Sequence, residues 1–143
     1  MESDTLRDTA WVVSQGNVTI VRRMWEAFLR GDISTALSFY SPEVEWDGSN
    51  LPDGPVGTGH DVIIEHVARW SESWRSWTVE LERIVEAGAD RVILVVREKG
   101  ESANGLTMDE VHAELYTLQD SMIVRRQGFS DPAEAFAAAG VSP

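Results

Sequence analysis

From Leu106 to Phe129, apolar and polar residues alternate in two runs, separated by the polar break Gln119-Asp120-Ser121-Met122. Alternation with period two is the mark of a strand, and the break suits a tight hairpin turn. With Asp120-Ser121 as the turn, Gln119 faces Met122, Leu118 faces Ile123, Tyr116 faces Arg125, Glu114 faces Gln127 and His112 faces Phe129. Directly opposed residues share a face. One face then carries His112, Glu114, Tyr116, Arg125, Gln127 and Phe129. The other carries Val111, Ala113, Leu115 and Val124, with Arg126 as an exception. A plain solvated face is one reading of the first set. Its mixture of rings, carboxylate, imidazole and guanidinium fits a partly closed pocket better.

The rest of the pattern places helices before strands. Residues 1–13 show no clear period and read as a loosely attached arm, docked through Trp11 and Val12 or disordered. Ser14 can cap a helix running to about Arg30, with Val18, Val21, Trp25, Phe28 and Leu29 as its apolar stripe. Gly31 suits the position after its end, and Asp32 can cap a short helix over residues 33–40. Val44 to Asp47 reads as a short strand, and residues 48–59 as a loop beside a pocket opening. A helix from about His60 to Trp77 places Ile63, Val67, Trp70, Trp74 and Trp77 on one face, with His66 at its border.

Strands follow at 78–86 and 91–99, the second apolar on both faces from Val92 to Val96, as a central strand is. Asp131, Pro132, Glu134 and Gly140 punctuate a last helix. The order predicts a single α+β domain over residues 14–143. It is a curved, mostly antiparallel sheet whose N-terminal helices and short C-terminal helix enclose a pocket. The apolar back face, Val111, Ala113 and Leu115, then needs cover, which a second copy would provide.

Composition narrows the partners. The 143 residues carry a formal net charge of −12, which repels phosphate backbones and anionic membranes alike. No cysteine is present, so disulfides and thiolate metal sites are excluded. His60, His66 and His112 lack a metal-ligand spacing, and no glycine-rich loop opens a helix after a strand, so neither metal nor cofactor is expected. The start of the chain is acidic and has no long apolar run, and no run approaches a membrane span; a cytoplasmic location is the expectation.

Glu114 is the first candidate for chemistry. Burial on a concave face would raise its pKa and poise it for proton transfer, whereas pairing with Arg125 or Arg97 would hold it ionised. His112, on the same face, can be a base oriented by Glu114 or a hydrogen-bonded wall residue. Asp47 is a third candidate, facing in or out according to a one-residue register choice. Tyr116, Arg125, Arg97 and Gln127 can meet substrate oxygens. Trp25, Trp46 and Phe129 read as core and pocket wall.

NVTIVRRMWEAFLRGD, FYSPEVEWDG, AGADRVILVVREKG and HAELYTLQDSMIVRRQGFSDPAEAFAAAG, in that order over about residues 14–140, resemble the NTF2-like superfamily. More narrowly, they resemble its SnoaL-like group, related to polyketide cyclases and ketosteroid isomerases. The resemblance implies a cone-shaped fold, an apolar pocket and a homodimer through the back of the sheet. Against the ketosteroid isomerase pattern, the proton-shuttling acid falls at Trp46 and the oxyanion-binding tyrosine at Met24. The second oxyanion-binding acid falls at Glu114, so one of the three roles is retained. The epoxide hydrolase pattern finds only His112-x-Glu114. Two functions stand: a cofactor-independent isomerase, cyclase or dehydratase acting on an apolar oxygenated small molecule, or a non-catalytic ligand-binding or accessory domain.

Overall fold

The structure, a computed structural model, describes the backbone of residues 2–51 and 54–143 and the side chains of residues 16–51 and 54–143. Helix α1 spans Glu2–Leu29. Ser14 therefore lies inside the helix and is not its cap, while any docking of Trp11 and Val12 lies outside the described side chains. The helix ends as its sequence predicts. Gly31, at φ 81°, donates to Phe28 and Asp32 donates to Ala27, which satisfies two terminal carbonyls. Asp32 then accepts from the Thr35 amide and caps α2, Ile33–Ser38.

Two further stretches differ from the pattern reading. Strand β1 is longer than expected, Tyr40–Asn50, and part of the expected loop is a short strand, β2 (Val56–Thr58), paired antiparallel with it. Helix α3 covers His60–Ser73 only, and Trp74 and Trp77 open strand β3, Trp74–Glu86. Strands β4 (Arg91–Ser102), β5 (Thr107–Gln119) and β6 (Met122–Phe129) and helix α4 (Pro132–Ala139) complete the chain.

The six strands form one sheet in the order β2-β1-β6-β5-β4-β3, with β1 and β6 parallel and every other pair antiparallel. Its concave face carries Val92, Leu94, Val96, Tyr116, Val44 and Trp46, packed against Val21, Met24 and Trp25 of α1 and Ile63 of α3. The other face carries Ile93, Val95, Ala113, Leu115 and Phe129, covered by Phe136, Ala135 and Ala139 of α4. Cover for this face thus comes from the chain itself: Ala113 and Leu115 are 0% and 1% exposed, and Val111 alone of the three is exposed, at 37%.

Helix α4 is held at both ends. Asp131 accepts from the Ala133 amide at 3.0 Å, and Arg91 donates to the Ala139 carbonyl at 2.9 Å. Asp131→Ala is expected to lower stability by about 1 kcal/mol, the usual worth of an N-cap, read from urea unfolding.

The hairpin turn falls at the expected place. Asp120 and Ser121 both have positive φ, 50° and 64°, as a two-residue turn that matches strand twist requires. Immediately beyond it the register departs from the simple one. Leu118 pairs with Ile123, but Thr117 pairs with Arg125, so Val124 is an extra residue. This bulge shifts all later pairing by one: Tyr116 faces Arg126, Glu114 faces Gly128 and Ala113 faces Phe129. Because side chains alternate, the shift exchanges the faces of every residue after it.

Candidate functional site

The bulge brings Arg126 onto the concave face and turns Arg125, Gln127 and Phe129 to the opposite one, correcting the expected face. Arg125 meets Glu45 at 3.4 Å and Asp47 at 3.9 Å, and Phe129 joins the cluster under α4. Asp47 pairs with Gln127 on that opposite face, which settles its orientation away from Glu114. Its carboxylate accepts from the Ser49 amide and hydroxyl, bonds that hold its pKa below the usual range. Arg97 is likewise not on the concave face. It forms a two-bonded pair with Asp109, at 2.9 and 3.0 Å, in solvent at the rim.

Glu114, Tyr116, His112, Trp25 and Trp46 do converge on the concave side. Glu114 and Arg126 are each 3% exposed. Arg126 Nε donates to Glu114 Oε1 at 2.7 Å, and Nη2 donates to the same oxygen. Glu114 Oε2 accepts from the Tyr116 hydroxyl at 2.9 Å, and that hydroxyl accepts from Trp25 Nε1 at 2.9 Å. The guanidinium lies 4.2 Å over the Trp46 ring. Glycine at 128 permits this packing: a Cβ there would collide with Leu51 and sit 3.1 Å from Arg126 Nη1.

Charge follows from these contacts. Burial alone would raise the Glu114 pKa, but Arg126, His112 and the two hydrogen bonds outweigh it and hold the carboxyl below its ordinary value. Glu114 is therefore ionised at neutral pH, the ion-paired alternative, with Arg126 as the partner in place of Arg125 or Arg97. Burial and the adjacent Glu114 charge push Tyr116 well above the usual tyrosine range, so it remains a donor.

His112 sits beside a different acid from the one expected. Its Nδ1 lies 3.4 Å from Glu98 Oε1, and Glu98 Oε2 accepts from Trp77 Nε1 at 3.1 Å. Burial raises the Glu98 pKa, against the lowering influence of His112 and the Trp77 bond. The concave face thus holds two carboxylates with opposite shifts, one fixed by an arginine and one beside a histidine.

His66 completes the wall. It lies 5.7 Å from Trp46 and 6.4 Å from Trp70, centroid to centroid, and burial lowers its pKa to about 4. Arg126, Glu98, Trp77 and His66 were not among the expected site residues. Arg126 had one signal, as the lone charge on an otherwise apolar strand face. Glu98 had another, since it continues the alternation of Val92, Leu94 and Val96. Among the described residues, no group of three or more His, Cys, Asp or Glu gathers as metal ligands, and no helix is long and apolar enough to cross a membrane.

A family model for the SnoaL-like domain matches residues 21–126. The chain belongs to the SnoaL-like family. Its fold is the NTF2-like α+β cone. Among solved structures, an NTF2-like protein from Burkholderia thailandensis is 26% identical, with a TM-score of 0.73 over 89% of this chain and 98% of that one. TerC co-crystallised with polyporic acid is 21% identical, with a TM-score of 0.72 over 87% and 98%. A candidate polyketide cyclase from Xanthomonas campestris pv. campestris is 24% identical, with a TM-score of 0.66 over 89% and 98%. Among curated proteins, none matches the chain significantly.

Proposed function

We propose that this SnoaL-like domain binds an apolar, oxygen-bearing small molecule on its concave face. There it carries out cofactor-independent acid–base chemistry through His112, of the isomerase, cyclase or dehydratase kind. The observation that carries the reading is the His112–Glu98 pair. A carboxylate at Nδ1 orients the imidazole and leaves Nε2 to take or give a substrate proton. Glu114 has a different part in this scheme. Its oxygens are already taken by Arg126 and Tyr116, so it fixes those donors in place and transfers no proton. A neighbour in fold crystallised with polyporic acid, and another described as a candidate polyketide cyclase, support a small-molecule role for the same architecture.

The test is a turnover screen against apolar ketones, aromatic polyketides and terpene epoxides, with His112→Asn beside the wild type. The proposal expects multiple turnovers with at least one class and their loss in the variant. Turnover unchanged in His112→Asn would overturn it.

The second reading is non-catalytic binding, favoured by the near-complete burial of Glu114. Of the surface grooves described, one is lined by Ser76, Trp77, Lys99 and Met108, and so includes the tryptophan that bonds Glu98, and one by Glu65, Ala68 and Arg69. Binding of a panel member without turnover would select it. Homodimerisation is a separate proposal, resting on the exposed Val111 on the back of the sheet. A monomer mass by light scattering would contradict it.

A further inference from the structure

Trp77 Nε1 donates to Glu98 Oε2 at 3.1 Å, while the other oxygen of the same carboxyl, Oε1, lies 3.4 Å from His112 Nδ1. Glu98 is 7% exposed, so little water competes for either oxygen. The two partners differ in kind. An imidazole nitrogen can donate or accept, whereas an indole nitrogen only donates. Trp77 therefore demands an acceptor whatever the imidazole does, and its bond fixes which way the carboxyl is turned.

The indole is itself held by two helices. It meets Phe28 of α1 at 6.0 Å between centroids and Trp70 of α3 at 6.2 Å, both edge to face, with planes at 79° and 76°. Directly across the ladder stands Gly100, and Glu98 is one pleat further on, opposite Val79. Aromatic side chains span such diagonals, and the glycine puts no side chain of its own in the way. The edge contacts need only a ring; the N–H serves Glu98.

The same bond acts on charge. Burial and the Glu114 carboxylate favour the neutral form of Glu98, and His112, the Trp77 bond and Arg126 oppose them. Glu110, across the ladder from Glu98, is exposed to solvent. A donor that cannot accept stabilises the carboxylate and offers nothing to the O–H of the acid.

We propose that Trp77 is the positioning residue of this site: its N–H turns Glu98 Oε1 toward His112 Nδ1, which holds the imidazole proton on Nδ1 and leaves Nε2 bare for the substrate. The assignment rests on the acid–base reading of His112 and adds the residue that enforces it.

Nitrogen-15 NMR of His112 just above neutral pH reads which ring nitrogen carries the proton. The spectra to compare are those of the wild type, Trp77→Phe, Glu98→Gln and the double variant. The wild type should hold the Nδ1–H tautomer. Trp77→Phe keeps a ring but frees the carboxyl to turn, and the ratio of Nδ1–H to Nε2–H should fall severalfold. Glu98→Gln should invert the tautomer, because the indole takes the amide oxygen and the amide NH2 then faces Nδ1, which must accept. In the double variant no indole orients the amide, and the inversion should be lost. An Nδ1–H tautomer unchanged in Trp77→Phe would overturn the positioning role while leaving the His112–Glu98 pair intact. An Nε2–H tautomer in the wild type would overturn the pair and the proposal together. Should Trp77→Phe fail to fold, Glu98→Gln decides by itself: an imidazole that keeps its proton on Nδ1 there faces the amide oxygen, which contradicts control by Trp77.

Discussion

Arg126→Met should destabilise the SnoaL-like domain by about 3–5 kcal/mol, measured by urea unfolding at neutral pH. The variant keeps an apolar chain over Trp46 but removes both donors to Glu114 Oε1. The carboxylate, 3% exposed, is then a buried charge with only the Tyr116 hydroxyl left to it. Leaving one member of such a pair is far worse than replacing both, because the cost lies in the uncompensated charge. The double variant Glu114→Gln/Arg126→Met should therefore recover most of the loss, since the neutral amide still accepts from Tyr116. Equal stability of single and double variants would mean that Glu114 escapes its charge by another route. A loss below about 1 kcal/mol in the single variant, the range of exposed pairs, would mean the pair is solvated in solution.

The second large effect is on pH. His66 is neutral in the folded chain down to about pH 4, whereas an unfolded histidine takes a proton near 6.5. Between these values the unfolded chain binds more protons, so stability rises with pH across that window. Above about 6.5 the contribution is complete, and below about 4 it is gone, with an upper limit of about 3 kcal/mol. Glu114, Asp47 and Asp109 have lowered pKa values and lose stabilisation at the acid end, below the ordinary carboxylate range. Glu98 has a raised value and works in the opposite direction as pH increases. The difference between wild type and His66→Phe isolates the histidine. That difference should grow steadily from pH 4 to 6.5 and then stay flat. A difference independent of pH would place a charged or solvated imidazole at position 66.

Much of the architecture was legible because periodicity and punctuation are local. The stripe of α1, the two-sided apolar run of β4 and the Asp131–Gly140 bracket of α4 each record their environment in neighbouring residues. The NTF2-like resemblance pointed to the same cone. Trp70, Trp74 and Trp77 misled because steps of four and three fit a helix, while the chain passes from helix to strand at Trp74. Strand β2 is three residues held by β1, a partner that no local pattern reveals.

The site was half legible for a related reason. His112, Glu114 and Tyr116 were expected on one face and share it, since their alternation along β5 does not depend on the register of β6. Arg125, Gln127 and Phe129 do depend on it, and the extra Val124 reversed all three. Nothing marks that bulge except its consequence, an arginine that would otherwise be stranded among apolar side chains. Pairing of His112 with Glu98 instead of Glu114 needed the cross-strand neighbour, Val96 opposite His112, to show which β4 residues share that face.

The decisive feature of the site is the division between its two acids: Glu114 a fixed anion held by Arg126, Glu98 the acid beside the His112 imidazole. Carbon-13 NMR titration of the glutamate side-chain carboxyls tests it most directly, with Glu98→Gln and Glu114→Gln assigning the two resonances. Glu98 should titrate above the ordinary glutamate value and Glu114 below it. The reverse order would contradict it, and would return the proton chemistry to Glu114.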